Sequence, residues 1–512
     1  MKKIMTRLLS MVLLGAFIPG FVLADSWYLE DGDITVNATE TSQIVSQEGT
    51  SKPDSNPIIS TRAPGSSETG ATDNTVTITA EKNATANVTL ENVNIDTGAT
   101  GGAAITTSGE GNVNIELDGT NRVQSDNEHA GVEKKDNGTL TITDENKDGS
   151  LTATGGNYGA GIGGGYEGSG SNIAIEGGKV KAIGGTHGAG IGGGFGGSGS
   201  NIAIEGGKVE ASSVGGGAGI GGGSLGSGSN IAVSGGEVTA QGGVGGAGIG
   251  GGQGGSGSNI TISDGKVTAT GAGAGAGIGG GYEGSGKGIT IEGGEVTAQG
   301  DAGGAGIGGG ISGTGSDVTI SGDAQVKVQG GTTGRDWHKG AAIGNGGTPT
   351  TDGNEVSPNT SDLTVEGFIQ IYEPGKNINT DTPDRTIEGQ KGDHSWNAGE
   401  VTTAETVPES KAAAYWVSDS EGQSIPYQAQ QKDGVLTVTV QADTASLRGT
   451  TGSLRQLEAQ GIAEIRFVTN GAQSAFTLSD LLASGTGSFT LTHAGDQVTC
   501  TLGDTDISRI LK

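Results

Sequence analysis

The sequence predicts an all-β fold, a parallel β-helix of ~29-residue coils followed by a small β-rich (α+β) C-terminal domain. Three observations carry this expectation. Glycine supplies 106 of 512 residues without the every-third-residue period of collagen, while hydrophobic residues make up 31% and aromatic residues 4%, so any core must be thin and repetitive. The motif Gly-Ala-Gly-Ile recurs with its isoleucine at positions 162, 191, 220, 249, 278 and 307, each 29 residues after the last. A fixed period of this size is the mark of a solenoid or array. Within each unit two short stretches alternate with period two, Ile173 with Ile175 and Val180 with Ala182, and glycine pairs such as Gly177-Gly178 separate them. Such alternation puts the apolar residues on one face of a strand, and the glycines supply corners.

The elements follow in chain order. Lys2, Lys3 and Arg7 precede an apolar run that ends at Val22-Leu23-Ala24, the pattern of a secretory signal peptide over 1–24. The run is shorter than the ~20 residues of a spanning helix, which leaves secretion, with release or non-covalent retention at the cell surface, as the expected localisation. Residues 25–75, rich in Ser and Thr and containing Pro53, Pro57 and Pro64, read as an N-terminal lead-in with a first strand at Trp27-Tyr28-Leu29. The β-helix is expected over 76–372, with irregular first coils and degenerate copies of the repeat at Ile105, Val132 and Ile343. The eight steps from Ile105 to Ile343, at a strand spacing of about 4.8 Å, make a rod of roughly 40 Å. Isoleucine stacks on isoleucine, with Ala160, Ala189, Ala218, Ala247, Ala276 and Ala305 as a neighbouring file. Asn172, Asn201, Asn230 and Asn259 predict an asparagine ladder, ending in Gly288 and Asp317. Residues 373–410, with Pro374, Pro383 and Pro408, read as a linker, and 411–512 as the C-terminal domain, with strands at 436–440, 464–468 and 497–501 and short helices at 453–460 and 478–483.

Several function classes can be weighed on residues alone. Residues 159–164 spell G-x-G-x-x-G, but six tandem copies followed by more glycine instead of a helix make a tight corner, not a nucleotide cradle. The net charge of −29 becomes −32 once a leader carrying three basic residues is removed, a balance that argues against nucleic acid and anionic lipid as partners. The lone Cys500 can form no internal disulfide. β-Helices also host polysaccharide lyases and hydrolases, which need an activated base or paired carboxylates; residues 155–330 contain no arginine, and Glu176, Glu205 and Glu292 alternate with serine at one corner. The residue after the triple glycine varies where its surroundings are fixed: Tyr166, Phe195, Ser224, Gln253, Tyr282, Ile311. Such a column points outward, either as a platform on which sugar rings stack or as a tolerant loop tip. Arg335, Asp336, Trp337 and His338 gather in the longer, 36-residue step before Ile343, either as a ligand site or as the cap a solenoid end needs. His187, single in its repeat, is expected to be merely exposed.

The stretches "VTLENVNIDTGATGGAAITTSGEGNVNIELDGTNRV" (88–123) and "GTLTITDENKDGSLTATGGNYGAGIGGG" (138–165) resemble a family of clostridial cell-surface carbohydrate-binding β-helix proteins, over about residues 76–372. The resemblance implies a right-handed, pectate-lyase-like solenoid that binds plant-type polysaccharide without catalysis, with calcium in the fold; no calcium-ligand residue is carried over to this chain. The expected function is thus a secreted or surface-associated carbohydrate-binding, adhesive β-helix of a Gram-positive bacterium. No catalytic residues are expected, and the candidate ligand residues are Tyr166, Phe195, Tyr282, Arg335, Asp336, Trp337 and His338. The partner is a polysaccharide or surface glycan, bound by a monomer with no membrane insertion. A polysaccharide lyase or glycoside hydrolase, and a structural spacer displaying the C-terminal domain, are the alternatives.

Overall fold

A computed structural model of the chain describes residues 24–62, 70–135, 137–331, 339–348, 363–365, 367–373, 376–388 and, with short breaks, 415–511. The expected signal peptide lies almost wholly outside the described residues, as do Arg335, Asp336, Trp337 and His338.

Each regular coil contributes three strands, for example Ile162–Gly163, Gly170–Ile175 and Lys179–Gly184. Like strands of successive coils pair in parallel, building three sheets of 13, 12 and 11 strands that wrap one core. The register is that of the sequence repeat. Ile162 lies opposite Ile191, Ile191 opposite Ile220, and the file continues through Ile249, Ile278 and Ile307 to Ile343. Ile173 and Ile175 stack on Ile202 and Ile204, and Val180 and Ala182 on Val209 and Ala211. All of these side chains are buried in one continuous cluster. The alanines of the Ala160 file are buried too, but stand outside that main cluster.

The glycine corner follows from how closely the coils approach. Gly221 has φ +135°, and a Cβ built on it would lie 2.0 Å from the carbonyl oxygen of Gly250 in the next coil. Gly192, Gly250, Gly279 and Gly308 repeat this clash one coil at a time. A side chain here would push coil from coil, which is why the "phosphate loop" motif recurs in a protein with no helix after it.

The asparagine ladder forms as expected. Asn172, Asn201, Asn230 and Asn259 all have φ between +52° and +57°, and Gly288 and Asp317 continue the left-handed conformation. The amide of Asn201 donates to Asn172 Oδ1 (2.9 Å), that of Asn230 to Asn201 (3.1 Å) and that of Asn259 to Asn230 (3.2 Å). Asn, Asp and Gly are the residues that bear this backbone at least cost. A serine column beside it links backbone to side chain across coils, from Ser198 N–H to Ser169 Oγ through Thr314 N–H to Ser285 Oγ.

At both ends the sheets reach past the expected limits of 76 and 372. Ser26–Tyr28 pairs in parallel with Ile58–Ser60, and Ile34–Ala38 with Val76–Ala80, while the hairpin Gln43–Gln47 and Thr50–Pro53 closes that sheet with antiparallel pairing. Trp27 is buried, and its Nε1–H donates to the buried Asp54 carboxylate at 2.9 Å. The last strand of another sheet, Arg385–Glu388, is antiparallel to Phe368–Tyr372. A returning strand of opposite direction ends the ladder without offering a parallel template to further chains.

The C-terminal residues form two sheets around a separate apolar cluster that includes Phe467, Phe476, Phe489 and Leu491. One sheet has five antiparallel strands; the other has four, with Val435–Val440 parallel to Glu464–Val468. The helix Leu478–Ala483 is capped by Thr477, whose Oγ1 accepts from the Asp480 N–H at 3.2 Å. Of the expected helix at 453–460, Leu454, Leu457 and Glu458 are described, and they are helical.

Candidate functional site

Two loop columns run side by side along one edge of the solenoid. The first leads into the Gly-Ala-Gly-Ile motif and contains Glu128, Tyr158, His187, Gly216, Gly245 and Ala274. The second is the variable column after the triple glycine. Backbone hydrogen bonds join them: the N–H groups of Tyr166, Phe195, Ser224, Gln253, Tyr282 and Ile311 donate, in that order, to the carbonyls of the first column at 2.7 to 2.9 Å. Each position of one column is thereby set beside a position of the other.

Where both columns carry rings, four of them pack together. Tyr166 and Phe195 stack with centroids 5.8 Å apart and planes 9° from parallel, and Tyr158 and His187 stack at 5.3 Å and 12°. Across the columns the contacts are edge-to-face, at 5.4 Å for Tyr158 with Tyr166 and 5.3 Å for His187 with Phe195. These are the offset and T-shaped geometries that ring quadrupoles favour. The spacing of 29 had placed Tyr166 and Phe195 together; it would also have placed Tyr158 beside His187, had those positions been aligned. His187 is thus not a solitary exposed residue but a member of the cluster, half-buried, with its Nδ1 out of contact with solvent.

The remainder of the variable column does not uniformly face outward. Tyr166 is 44% exposed and Gln253 is exposed, Phe195 and Tyr282 are half-buried, but Ser224 and Ile311 are buried at 3% and 2%. Residues 345–348 of the next coil run alongside Ile311, with the Ser312 N–H donating to the Gly347 carbonyl at 2.7 Å. Tyr282 stands three coils beyond Phe195. The edge between them carries the most exposed aliphatic side chains among the described residues, Val214, Leu225 and Val244, at 64% to 67%.

Carboxylates accompany both tyrosines of the variable column. Glu167 and Glu283 follow them in the repeated Tyr-Glu-Gly-Ser-Gly, each with a left-handed backbone (φ +55° and +58°) held by a hydrogen bond from its N–H to the next coil. The Glu167 charge, assisted by its hydrogen bond and by Glu128, raises the Tyr166 phenol above its ordinary value; the hydrogen bond and charge of Glu283 do the same for Tyr282.

Three other polar clusters are fully engaged within the protein or open to solvent. Glu133, in register with Gly163, is buried and receives His129 Nδ1 at 2.7 Å, Lys135 Nζ at 2.6 Å and the Ala130 N–H at 3.1 Å. His493, in the C-terminal domain, lies between Ser474 Oγ (2.7 Å from Nε2) and Thr469 Oγ1 (3.1 Å from Nδ1). The serine-histidine distance suits nucleophilic chemistry, but the ring is fully buried and its second nitrogen meets a hydroxyl where a carboxylate would be needed. A shallow polar hollow of about 380 Å³ lies at the corner formed by Lys82, Asn83, Thr85, Glu110, Asn112 and Asn137. Among the described residues, no three His, Cys, Asp or Glu side chains converge as a metal site requires, and no helix is long and apolar enough to cross a membrane.

The family model described as Beta helix repeat matches residues 147–166, 173–195, 202–224, 231–253, 260–282 and 289–311. This match and the three stacked parallel sheets together support a β-helix repeat fold. Each matched segment ends on the variable column, at 166, 195, 224, 253, 282 and 311. No curated protein and no solved structure matches the chain.

Proposed function

We propose that this β-helix is a secreted or surface-associated glycan-binding protein that acts by adhesion and without catalysis. The observation that carries the reading is the ring cluster on one edge, where Tyr166 is 44% exposed beside Phe195, Tyr158 and His187. Sugars offer apolar C–H faces to aromatic rings and hydroxyls to nearby carboxylates, and this edge supplies both groups. Tyr166 keeps 44% of its surface exposed although its ring packs on Phe195 and Tyr158. Because the cluster is held by coil-to-coil hydrogen bonds, it is ordered before a ligand arrives, which lowers the entropy lost on binding. A spacer would have no need of exposed Val214, Leu225 and Val244 on the same edge.

The test is retention of the mature chain on insoluble polysaccharides. Tyr166→Ala with Phe195→Ala should weaken retention about tenfold or more, at about 1 kcal/mol for each ring contact. Melting should change little, because the rings lie outside the main core. Unchanged retention would remove this edge from the reading. Catalysis has its own check: pectins, β-glucans and mucin glycans incubated with the protein should yield neither unsaturated nor new reducing ends. Turnover that Arg335→Ala or Asp336→Asn abolishes would overturn the non-enzymatic reading.

A further inference from the structure

The ring cluster is one part of a longer edge whose charge is not balanced. Residues 156–168, 184–197, 213–227, 242–256 and 271–284, which supply both loop columns over five coils, contain no lysine and no arginine. Within these segments the carboxylates are Glu167 beside Tyr166 and Glu283 beside Tyr282, and Glu128 of the first column adds a third charge near Tyr166. Glu167 and Glu283 are exposed, and among the described residues neither has a cationic partner. On the neighbouring sheet face Lys208, Glu237, Lys266 and Glu295 follow one another in register, and Lys208 Nζ lies 3.4 Å from Glu237 Oε1. The edge that bears the rings holds no such lysine–glutamate file over these five coils.

The two Tyr-Glu pairs are equivalent by the repeat and four coils apart, roughly 19 Å at the strand spacing. In each pair a backbone hydrogen bond to the next coil fixes the glutamate, so a carboxylate is presented beside a phenol ring at both places. A ring face and a carboxylate side by side recognise an ammonium group, the ring through its quadrupole and the carboxylate through its charge. The same pair repels a uronate or sulfate, and the net charge of −29 extends that repulsion to the approach of any polyanion. Between the pairs lie Phe195, Leu225, Val214 and Val244, uncharged and suited to the C–H faces of sugar rings.

We propose that this edge takes a glycan bearing free amino groups, a deacetylated amino-sugar polymer, lying along the solenoid axis with its ammonium groups at Glu167 and Glu283. The proposal rests on the glycan-binding reading and adds the charge class and direction of the ligand. Each contact is weak alone, and one chain that meets both pairs gains by linking them.

The experiment titrates the full mature chain with three soluble oligomers: chitosan oligosaccharide, its fully N-acetylated counterpart and oligogalacturonate. Each titration is run at low and at physiological salt. Chitosan oligosaccharide should bind most tightly and lose affinity with salt, and oligogalacturonate should not bind. Glu167→Gln with Glu283→Gln should lower chitosan affinity roughly five- to tenfold while leaving the N-acetylated oligomer unaffected. Glu176→Gln with Glu205→Gln, the same charge change at a distant corner, should leave chitosan binding unaltered. Equal losses in the two double variants would mean a polycation attracted by net charge alone, and would overturn the proposal. So would equal affinity for the amino and N-acetylated oligomers, or preference for the uronate, and in these cases the glycan-binding reading stands if Tyr166→Ala with Phe195→Ala still weakens binding. If no glycan binds, both fall.

Discussion

The solenoid and the C-terminal domain are both β structures with apolar cores, yet they store their folding information differently. In the solenoid a residue's environment is repeated every 29 positions, so Ile220 meets Ile191 on one side and Ile249 on the other. In the C-terminal domain Phe467 reaches Phe476, Phe489 and Leu491 from other strands, with no period to announce the contacts. Stability in the first comes from neighbouring coils completing one another; in the second it comes from one closed core.

The largest contrast should come from charge in the repeated file. Ile220→Asp buries an unpaired carboxylate among isoleucines at a cost of several kcal/mol, and the interruption is felt by the coils on both sides. Calorimetry should show the solenoid transition lost or greatly lowered with the C-terminal transition kept; parent-like melting would show that the isoleucine file is not interior. A smaller contrast compares two glycines. Gly221→Ala must displace the Gly250 carbonyl, which would lie 2.0 Å from the new Cβ, whereas Gly461 has φ +87° and nothing within 4 Å of that position. The first substitution should cost well over the second, whose penalty is the backbone strain of about 1–2 kcal/mol. Equal melting shifts would mean that coil spacing does not require the glycine corner.

Acid separates the regions in another way. Burial holds the His493 imidazole below its ordinary value of 6.5. The folded C-terminal domain thus favours the neutral ring, its contribution is complete above about pH 6.5, and it is lost as the pH falls from there towards the depressed folded value. Melting at pH 7.5 and 5.5 should show the C-terminal transition moving down in acid; a transition that does not move would mean that the ring is as easily protonated folded as unfolded. The smallest effect belongs to the asparagine ladder. Asn230→Gly and Asn230→Ala both lose the two ladder bonds, but glycine keeps the left-handed backbone without strain, as Gly288 does at an equivalent place, so the alanine variant, with φ near +52°, should be the less stable by about 1–2 kcal/mol. Identical melting of the two variants would remove backbone conformation as the reason for the ladder.

The same contrast explains what could be read before the structure. The isoleucine, alanine and asparagine files were legible because stacking turns a 29-residue spacing into contact, and the register needs nothing else. The C-terminal strands at 436–440, 464–468 and 497–501 were legible from alternation, but their sheet partners were not, because pairing such as Val435–Val440 with Glu464–Val468 is decided by the closed core. At the site, Tyr166 with Phe195 followed from the repeat. The same spacing of 29 stacks His187 on Tyr158, but that these two rings meet Tyr166 and Phe195 was not legible, because the hydrogen bonds between the loop columns bring the two pairs together. The burial of Ser224 and Ile311 in a column whose other members are exposed or half-buried was likewise hidden, since equivalent positions of the repeat differ in it.

Glycan binding along one edge of the solenoid, as proposed above, is tested most directly by a tyrosine-labelling footprint. The mature chain is treated with a phenol-modifying reagent with and without a glycan that retains it, and modification is read at each tyrosine. The account predicts that bound glycan protects Tyr166 and Tyr282, which share the variable column, and leaves Tyr28 and Tyr427 labelled as before. Protection at Tyr427, with Tyr166 and Tyr282 still labelled, would move binding to the C-terminal domain and contradict the account.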